Sequence, residues 1–354
     1  MNGATSGATR YDAAALRAFA ERALVLVGAR PNDARLTADG LVAADLRGVH
    51  THGVVRLGVY VARLRQRSFD PEATLATVRD SGATVLLDAG GGLGIPAFVR
   101  AMDLAVDRAR QHGIAAVGVR NSNHCGMLAY GALRAAERGA IGIALTNADA
   151  HVAPWGARTK FLGTNPLAVA VPAGHEPPVV LDMATSVVPH SRVQAAAARG
   201  EPIPQGWALD REGRPTTDPL AALAGALLPL GGPKGSGLAL VVDILAGLLT
   251  GAGTGPEIAP LYDALDRPQG LGHLCVAIAV EAFVPREEFA ARMDALIRAV
   301  RALPPAEGVD RVYLPGELEH LRAVEYAAGG IPLPPHVVAE VEKVAAALGV
   351  APPG

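Results

Sequence analysis

The sequence predicts an α/β fold that differs from an ordinary Rossmann domain. Short apolar runs alternate with alanine-rich stretches of helical periodicity along most of the chain, a pattern typical of α/β organisation. Half of the 354 residues are apolar, so the chain can bury a large core. At roughly 100–200 residues per domain, this length allows two or three lobes.

The first third of the chain is predicted to be mainly helical and then to begin a sheet. Residues 1–9 are small and polar, and we expect them to be disordered. Apolar residues at helical spacing predict four helices, over residues 11–29, 33–47, 53–67 and 95–111. Thr51 is the expected N-cap of the third helix. Strand-like runs occupy residues 73–78 and 83–87.

The centre of the chain predicts a βαβ-type unit followed by mixed elements. The unit comprises a strand over 114–119, a polar loop at 121–124, a helix over 126–138 and a strand over 140–145. Further strands are predicted at 169–172, 179–181 and 274–280. A glycine- and proline-rich excursion spans 202–219, and the turn at 231–237 leads into a helix ending near residue 250. The last helices are predicted over 285–303, 316–328 and 334–348.

Composition and charge exclude several functional classes. The formal net charge is −2 without a block of like charge, so nothing attracts nucleic acid or an anionic membrane. Cys125 and Cys275 fit neither a disulfide framework nor a zinc motif. No signal peptide is visible. The apolar stretch 238–250 is too short for a bilayer and contains Asp243, which predicts a buried helix. We therefore expect a soluble, cytoplasmic protein.

Two glycine-rich segments have some features of nucleotide-binding loops. Residues 90–94 follow a strand and precede a helix, but Ile95 stands where the last glycine of G-x-G-x-x-G is required, and no acidic residue follows at the expected distance. Lys234, one of three lysines, lies in the 231–237 turn, which is not a Walker A loop. Glycines and a helix N-terminus there favour an anionic ligand, with a solvated turn as the alternative.

The most informative segment is 45–57, DLRGVHTHGVVRL, because it brings chemistry-bearing residues together. His52 can carry a proton near neutral pH, Thr51 can orient it, and Arg56 lies one helical turn further on. His50, His52, His124 and Asp182 could also be metal ligands, but no metal-binding spacing supports this, and we predict no metal site. A structural, hydrogen-bonded role remains an alternative for His50.

His124 and Asp182 lie at predicted strand ends, where ligands collect in open α/β sheets. Asp182 could orient a histidine or a ribose, or it could cap a helix. These alternatives stay open at the level of the residues themselves.

Together these segments resemble the malate/L-lactate dehydrogenase-like family of NAD(P)-dependent oxidoreductases, over about residues 11–348. The family includes ureidoglycolate, sulfolactate and diketogulonate enzymes and piperideine- and pyrroline-2-carboxylate reductases. The matching motifs are DLRGVHTHGVVRL (45–57), NSNHCG (121–126), VAPWG (152–156), LGTNPLAVAVP (162–172), LDMATS (181–186), GWALDREGRPTTDP (206–219), LLPLGGPKGSGLALVVDILAGLLTGA (227–252) and LPGE (314–317).

The resemblance implies a mixed-sheet, non-Rossmann α/β fold, an NAD or NADP cofactor, a small carboxylate substrate and a homodimer. It also implies a division of the chain. Residues 10–70 and 250–354 would form a helical, substrate-binding and dimerisation part, and residues 71–249 an α/β cofactor-binding part.

The resemblance also implies residue roles. His52 would carry the substrate proton, oriented by Thr51 and Asp182. His124 matches the acid–base histidine of the ureidoglycolate branch, so the resemblance leaves open which of the two carries the proton. Arg56 would hold the substrate carboxylate, with Lys234 and His50 beside it. The implied cofactor contacts are His124, Cys125, Gly126, Ala148, Asp182, Met183, Ala184, Lys234, Pro315, Gly316 and Glu317. His190 and Arg192 are added to them because their polar side chains would suit an adenosine 2′-phosphate.

The sequence departs from the family pattern at four places, and three of them, at 125, 190–192 and 279–280, motivate a second hypothesis. Thr51 replaces Ser, Cys125 replaces an aromatic residue, residues 190–192 replace an Arg-Gly-Lys-like stretch, and residues 279–280 replace Asp-Pro. The favoured interpretation is an oxidoreductase transferring hydride to or from C2 of a small 2-oxo, 2-hydroxy or cyclic 2-imino acid. The alternative is a family member that lost the chemistry and acts as a binding or scaffold protein.

Overall fold

The computed structural model describes residues 9–354. The predicted disordered tail, residues 1–9, lies outside this range except for Thr9. Eleven α-helices lie in the described chain: α1 Ala13–Leu26, α2 Pro31–Leu46, α3 Leu57–Arg65, α4 Gly94–His112, α5 Leu128–Glu137, α6 His190–Arg199, α7 Pro219–Ala224, α8 Pro233–Ala246, α9 Arg286–Arg301, α10 Glu317–Gly329 and α11 Pro335–Leu348.

The strands form one large sheet and two small ones. They are β1 Arg10–Tyr11, β2 Ala76–Asp80, β3 Thr84–Asp88, β4 Ile114–Ser122, β5 Ala140–Thr146, β6 Leu167–Val171, β7 Val179–Met183, β8 Ala208–Leu209, β9 Pro215–Thr216, β10 Ala226–Leu227, β11 Leu271–Ala279 and β12 Ile331–Pro332. The seven-stranded sheet has the order β2-β3-β4-β11-β5-β6-β7, and only the β3–β4 pair is parallel. This mixed sheet confirms the predicted non-Rossmann α/β class.

The direction of the strands decides where a site can form. Strands β3, β4, β5 and β7 all run the same way, because β11 is antiparallel to both β4 and β5, and β6 is antiparallel to both β5 and β7. Their carboxyl ends therefore lie along one edge of the sheet, here called the carboxyl edge. In the predicted βαβ-type unit, β4 and β5 do not pair with each other, because β11 lies between them and pairs with both.

Two layers of helix bury the core. Helices α4 and α5 cover one face of the sheet with small side chains, and a Cβ on Gly131 would lie 2.3 Å from the ring of Phe98, which shows how closely these two helices approach. Helices α1, α2, α3 and α11 form a second cluster beside them. A smaller cluster around Val152, Val193 and Leu227 supports α6, α7 and the short strands.

Several sequence predictions need correction. The helix expected from residue 53 begins with two 3₁₀ turns, His50–His52 and Val54–Arg56, and becomes α-helical at Leu57. The strand expected over 73–78 lies at Ala76–Asp80 and is exposed along its length. Helix α6 was not predicted, because it buries only Val193 and Ala196.

The apolar 238–250 segment was predicted to be a buried helix, and this is wrong for its outer face. The helical segment Pro233–Thr250 is 39% buried in the described chain, and by length and composition alone it could cross a membrane. The sequence predicted a boundary between two parts of the chain at residue 250. That boundary would place β11 in a different part from the sheet in which it is the central strand.

Candidate active site

The loop after β4 brings His124 to the carboxyl edge and holds it there. Asn123 is fully buried, and its amide nitrogen donates to the carbonyls of Gly91 and Gly92, both at 2.8 Å. Its amide oxygen accepts from the Gln269 backbone at 2.9 Å, and the Gln269 side chain in turn accepts from the His124 N–H at 2.9 Å. This chain of hydrogen bonds fixes the backbone of His124 against β11.

A buried carboxylate folds the His50–Arg56 turn. Asp45, at 0% exposure, accepts from His50 Nδ1 at 2.8 Å and from the Val54 N–H at 2.7 Å. A Cβ on Gly53 would lie 2.0 Å from Asp45 Oδ1, so only glycine fits there. We call this arrangement the Asp45 clamp. It gives the His50 imidazole a structural partner, and the turn that it holds carries the two predicted site residues that follow.

Those two residues are His52 and Arg56. Thr51 Oγ1 lies 3.0 Å from His52 Nδ1, and Arg56 Nε donates to the Thr51 carbonyl at 2.6 Å. Arg56 Nη1 donates to the Tyr262 hydroxyl, and its guanidinium carbon lies 5.4 Å from the centre of the Tyr262 ring. Both partners are neutral, so neither of them compensates the positive charge of Arg56, and that charge can pair with an acidic ligand.

The imidazoles of His52 and His124 face each other although 72 positions separate them. Their ring centroids are 5.7 Å apart and their planes differ by 21°. The Tyr60 hydroxyl lies 2.6 Å from His124 Nδ1, and the Gly126 N–H donates to the same nitrogen at 3.4 Å. Because Nδ1 accepts, the proton of neutral His124 lies on Nε2.

The electrostatics keep both imidazoles neutral in the free protein. Burial, and then the charge of Arg56, lower the pKa of His52 to about 3. Burial, Arg56 and His52 lower the pKa of His124 well below its usual value. Burial also raises the pKa of Tyr60 and raises that of the Cys125 thiol to about 12, so neither ionises near neutral pH.

Asp182 lies at the carboxyl edge but contacts a helix. Its carboxylate accepts from the Ala129 N–H at 2.7 Å, in the first turn of α5, which is the capping role left open by the sequence. Its surroundings raise its pKa to about 6, chiefly through desolvation, against the Ala129 hydrogen bond and the charge of Arg47. This hydrogen bond joins Asp182 to α5 and not to His52.

The other predicted cofactor residues differ in their burial and in their contacts. Cys125 is buried and Gly126 has a φ of +74° beside His124, while Met183 and Ala184 are half-buried at the end of β7. The Ala148 N–H donates to the Asn165 side chain at 3.1 Å. Lys234 and Arg192 are exposed. Among the described residues, no three histidine, cysteine or acidic side chains come together as a metal site.

The turn at 315–317 packs against β7. The Pro315 carbonyl accepts from the Val180 N–H at 3.0 Å, and Gly316 has a φ of +79°. Glu317, predicted as a cofactor contact, is 5% exposed and pairs with Arg301 at 3.0 Å and with Arg311. Its carboxylate therefore has a structural use.

An unpredicted arginine joins two of these segments. Arg47 is 9% exposed, its Nη2 donates to the Gly316 carbonyl at 3.5 Å, and its charge acts on Asp182. Within residues 9–354 its Nε has no hydrogen-bond partner. A buried guanidinium with a free donor suits an anionic group. The turn around Lys234 suits one as well, because Lys234 is exposed and a Cβ on Gly231 or Gly237 would face open space. The residues present thus fit a phosphate-bearing cofactor.

Sequence reasoning missed Tyr60, Tyr262 and Asp45. Tyr60 lies four residues after Arg56, so helical spacing could have found it. Tyr262 meets Arg56 across 206 positions, and no local pattern indicates that contact.

Comparison with known proteins identifies the family. The sequence model described as malate/L-lactate dehydrogenase matches residues 11–342. The chain is 38% identical over 343 residues to malate dehydrogenase of Pyrococcus horikoshii, covering 95% of this chain and 94% of that one.

The chain belongs to the malate/L-lactate dehydrogenase family.

Other family members are similar over comparable lengths. The NAD(+) ureidoglycolate dehydrogenase of Escherichia coli K12 is 35% identical over 316 residues, which cover 89% of this chain and 90% of that one. The (2R)-3-sulfolactate dehydrogenase (NADP(+)) of Chromohalobacter salexigens is 36% identical over 327 residues, with 92% and 95% covered.

The solved structure of the Pyrococcus horikoshii malate dehydrogenase superposes with a TM-score of 0.91 at 35% identity, covering 99% of both chains. This malate/L-lactate dehydrogenase family member is thus an oxidoreductase that uses a nicotinamide cofactor, as the resemblance implied.

Proposed function

We propose that this chain transfers hydride between NAD or NADP and C2 of a small 2-oxo or 2-hydroxy acid, or of a cyclic 2-imino acid. The observation that carries the proposal is the convergence of His52, His124 and Arg56 at one site. The scaffold alternative ranks second, because no comparison supports it and these three residues are kept.

Arg56 would bind the substrate carboxylate and thereby orient C2. A guanidinium forms two parallel hydrogen bonds with a carboxylate, and its Thr51 and Tyr262 partners hold Arg56 from other sides. When bound, the nicotinamide ring supplies or accepts the hydride. Arg47, Lys234 and the Asp182 region would hold the rest of that cofactor.

The two imidazoles would take part in proton transfer at the substrate C2 oxygen or nitrogen. Neutral His52 can accept the hydroxyl proton of a 2-hydroxy acid, while neutral His124, whose Nδ1 accepts from Tyr60, would donate its Nε2–H to the same substrate oxygen. Burial is the main cause that lowers the pKa of His52, and the charge of Arg56 lowers it further. In the reverse direction, a carboxylate paired with Arg56 would offset that charge and so favour proton uptake by His52. Thr51 would orient His52, and Tyr60 would orient His124 through Nδ1.

NAD(P)H consumption with a panel of 2-oxo acids and cyclic imines tests this proposal, together with calorimetric titration of NADH and NADPH. We expect binding of one cofactor and turnover of at least one acid. His52→Ala and His124→Ala should keep cofactor binding, and at least one should lose roughly 10²–10⁴-fold in kcat. Full activity in both variants would contradict the acid–base role of the two histidines. Failure of both NADH and NADPH to bind would contradict the proposal as a whole.

We further propose a homodimer in which a second copy covers the outer face of α8. The exposed apolar residues of α8 are Leu238, Leu240, Val241 and Ile244, and the 3₁₀ turn that follows adds Leu248 and Leu249. A contiguous apolar surface of this kind is typical of an interface. Sedimentation analysis should show a dimer that Ile244→Asp weakens, whereas Leu303→Asp, at another exposed leucine, should leave it intact. A monomeric parent protein would contradict the proposal. The cytoplasmic location stays a prediction.

A further inference from the structure

Tyr262 brings a phenol hydroxyl to the arginine that is proposed to bind the substrate carboxylate. Arg56 Nη1 donates to this hydroxyl, and the Arg56 guanidinium carbon lies 5.4 Å from the centre of the Tyr262 ring. Tyr262 belongs to the segment between α8 and β11, far from Arg56 along the chain. It is 50% exposed, so a ligand has access to it.

Arg63 holds the segment that carries Tyr262. This arginine is fully buried in α3, and its guanidinium donates to the carbonyls of Pro260 at 2.6 Å and Leu261 at 2.8 Å. A third hydrogen bond reaches the Arg267 carbonyl at 3.0 Å. Hydrogen bonds from a charged donor are strong, and these three fix the backbone on both sides of Tyr262. The position of Tyr262 is therefore set by α3.

Helical spacing allows α3 to arrange the whole group. Arg56, Tyr60 and Arg63 follow one another at i, i+4 and i+7, so they lie on one face of α3 and of the 3₁₀ turn before it. Tyr60 contacts His124, and Arg56 contacts Tyr262. One helix thus fixes an imidazole of the proposed pair, the cation and the phenol relative to one another.

The contacts of Arg56 decide from which side a carboxylate can reach it. Arg56 Nε already donates to the Thr51 carbonyl at 2.6 Å. A carboxylate that pairs with the guanidinium through two hydrogen bonds must therefore approach its two terminal nitrogens. One of these, Nη1, is the atom that contacts Tyr262. The bound carboxylate would consequently lie beside the Tyr262 hydroxyl.

The direction of the Arg56–Tyr262 hydrogen bond leaves the phenol proton available. A guanidinium has donors only, so the Tyr262 oxygen accepts from Arg56. The O–H of Tyr262 can then turn toward a third group. A carboxylate paired with Arg56 would bring an acceptor oxygen next to that proton.

Another imidazole pair at the carboxyl edge is paired within itself. The Asp149 carboxylate lies 3.0 Å from His151 Nε2. The His151 ring stacks on the ring of His190, at a centroid distance of 4.0 Å and an interplanar angle of 17°. Among residues 9–354, neither of these histidines is hydrogen-bonded to Arg56, whereas Tyr262 is.

We propose that the Tyr262 hydroxyl donates a hydrogen bond to the substrate carboxylate, so that Arg56 and Tyr262 bind this group together. This inference rests on the proposed function, because it concerns the carboxylate of the same substrate.

The test measures NAD(P)H-dependent reduction of pyruvate, oxaloacetate and piperideine-2-carboxylate by the full-length chain. Tyr262→Phe keeps the ring beside Arg56 and removes only the hydroxyl. For each acid that the wild-type protein reduces, KM should rise about tenfold or more, the effect of one lost hydrogen bond to a charged group. The kcat should stay nearly unchanged, because this hydrogen bond is made equally in the ground state and in the transition state.

A second background separates direct binding from orientation of Arg56. Arg56→Lys keeps the cation, but lysine has no planar fork for a neighbour to orient. Tyr262→Phe should still raise KM in this background, because the hydroxyl contacts the carboxylate itself. A rise that is absent there would show that Tyr262 acts only on the guanidinium, and it would overturn the assignment.

The matched control is Tyr326→Phe. Tyr326 lies in α10 and also faces an arginine, since the Arg10 guanidinium carbon is 5.8 Å from the centre of its ring. Loss of this hydroxyl should change neither KM nor kcat.

An unchanged KM in Tyr262→Phe, or a loss confined to kcat, would overturn the assignment of Tyr262 and leave the proposed function standing. Absence of turnover by the wild-type protein with every acid and imine would overturn both.

Discussion

Substituting Gly53 by alanine should break the Asp45 clamp. The added Cβ would lie 2.0 Å from Asp45 Oδ1 and 2.3 Å from Oδ2, so the carboxylate must leave its place. It would lose the bonds from His50 at 2.8 Å and from Val54 at 2.7 Å. Hydrogen bonds to a charged group contribute about 1.5–3 kcal/mol each, so the expected loss is about 3–6 kcal/mol. The lower unfolded-chain entropy of alanine offsets about 0.4–1 kcal/mol.

Guanidinium unfolding at fixed protein concentration measures this loss. The kcat/KM of the variant should fall by about 10²-fold even where the protein remains folded, because His52 and Arg56 flank the turn and a displacement near 1 Å misaligns them. Gly329→Ala, at an exposed glycine whose Cβ would only touch Arg10 at 3.5 Å, is the control and should be neutral or slightly stabilising. A Gly53→Ala protein of unchanged stability and activity would refute the clamp.

Three further predictions concern the site and its pH dependence. Tyr60→Phe should cost about 1 kcal/mol in unfolding free energy, since it removes one hydrogen bond to His124, and it should move the kcat–pH profile; an unmoved profile would exclude an orienting role. Arg56→Lys should raise KM for the acid by about tenfold or more, because lysine cannot pair bidentately; an unchanged KM would place the carboxylate elsewhere. Burial lowers the pKa of fully buried His273 to about 4, below the unfolded value near 6.5, so its stabilisation is complete above pH 6.5 and is lost as the pH falls toward 4. Between pH 7.5 and 4, His273 should therefore contribute on the order of 3 kcal/mol to the decline in unfolding free energy, at 1.36 kcal/mol per unit, and His273→Gln should reduce the decline by about that amount; an unchanged decline would contradict this contribution.

The sequence predicted most helices because their apolar periodicity is local. It could not predict that β11 separates β4 from β5, since this pairing joins residues 127 to 164 positions apart and depends on the register of the whole sheet. The 238–250 helix shows a second limit. Apolar composition does not distinguish a helix buried in its own chain from one with an apolar outer face.

The candidate site also has parts that follow from local sequence and parts that depend on long-range packing. His52 and Arg56 could be proposed from the sequence because they lie close together along the chain, and His124 because it follows a predicted strand. The stacking of His52 on His124 depends on how the helical layer docks against the sheet. The Arg56–Tyr262 contact and the His151–His190 stack likewise join distant segments, so only the fold reveals them.

Isotope transfer tests the central claim most directly. Wild-type protein is supplied with NADH or NADPH deuterated at C4 and with oxaloacetate, pyruvate or piperideine-2-carboxylate, and the product is examined by mass spectrometry. We expect deuterium at C2 of at least one product, and its loss in the His52→Asn, His124→Asn double variant that still binds the cofactor. A wild-type protein that binds the cofactor but transfers no deuterium, or a double variant that transfers it at the wild-type rate, would contradict the assignment of this site.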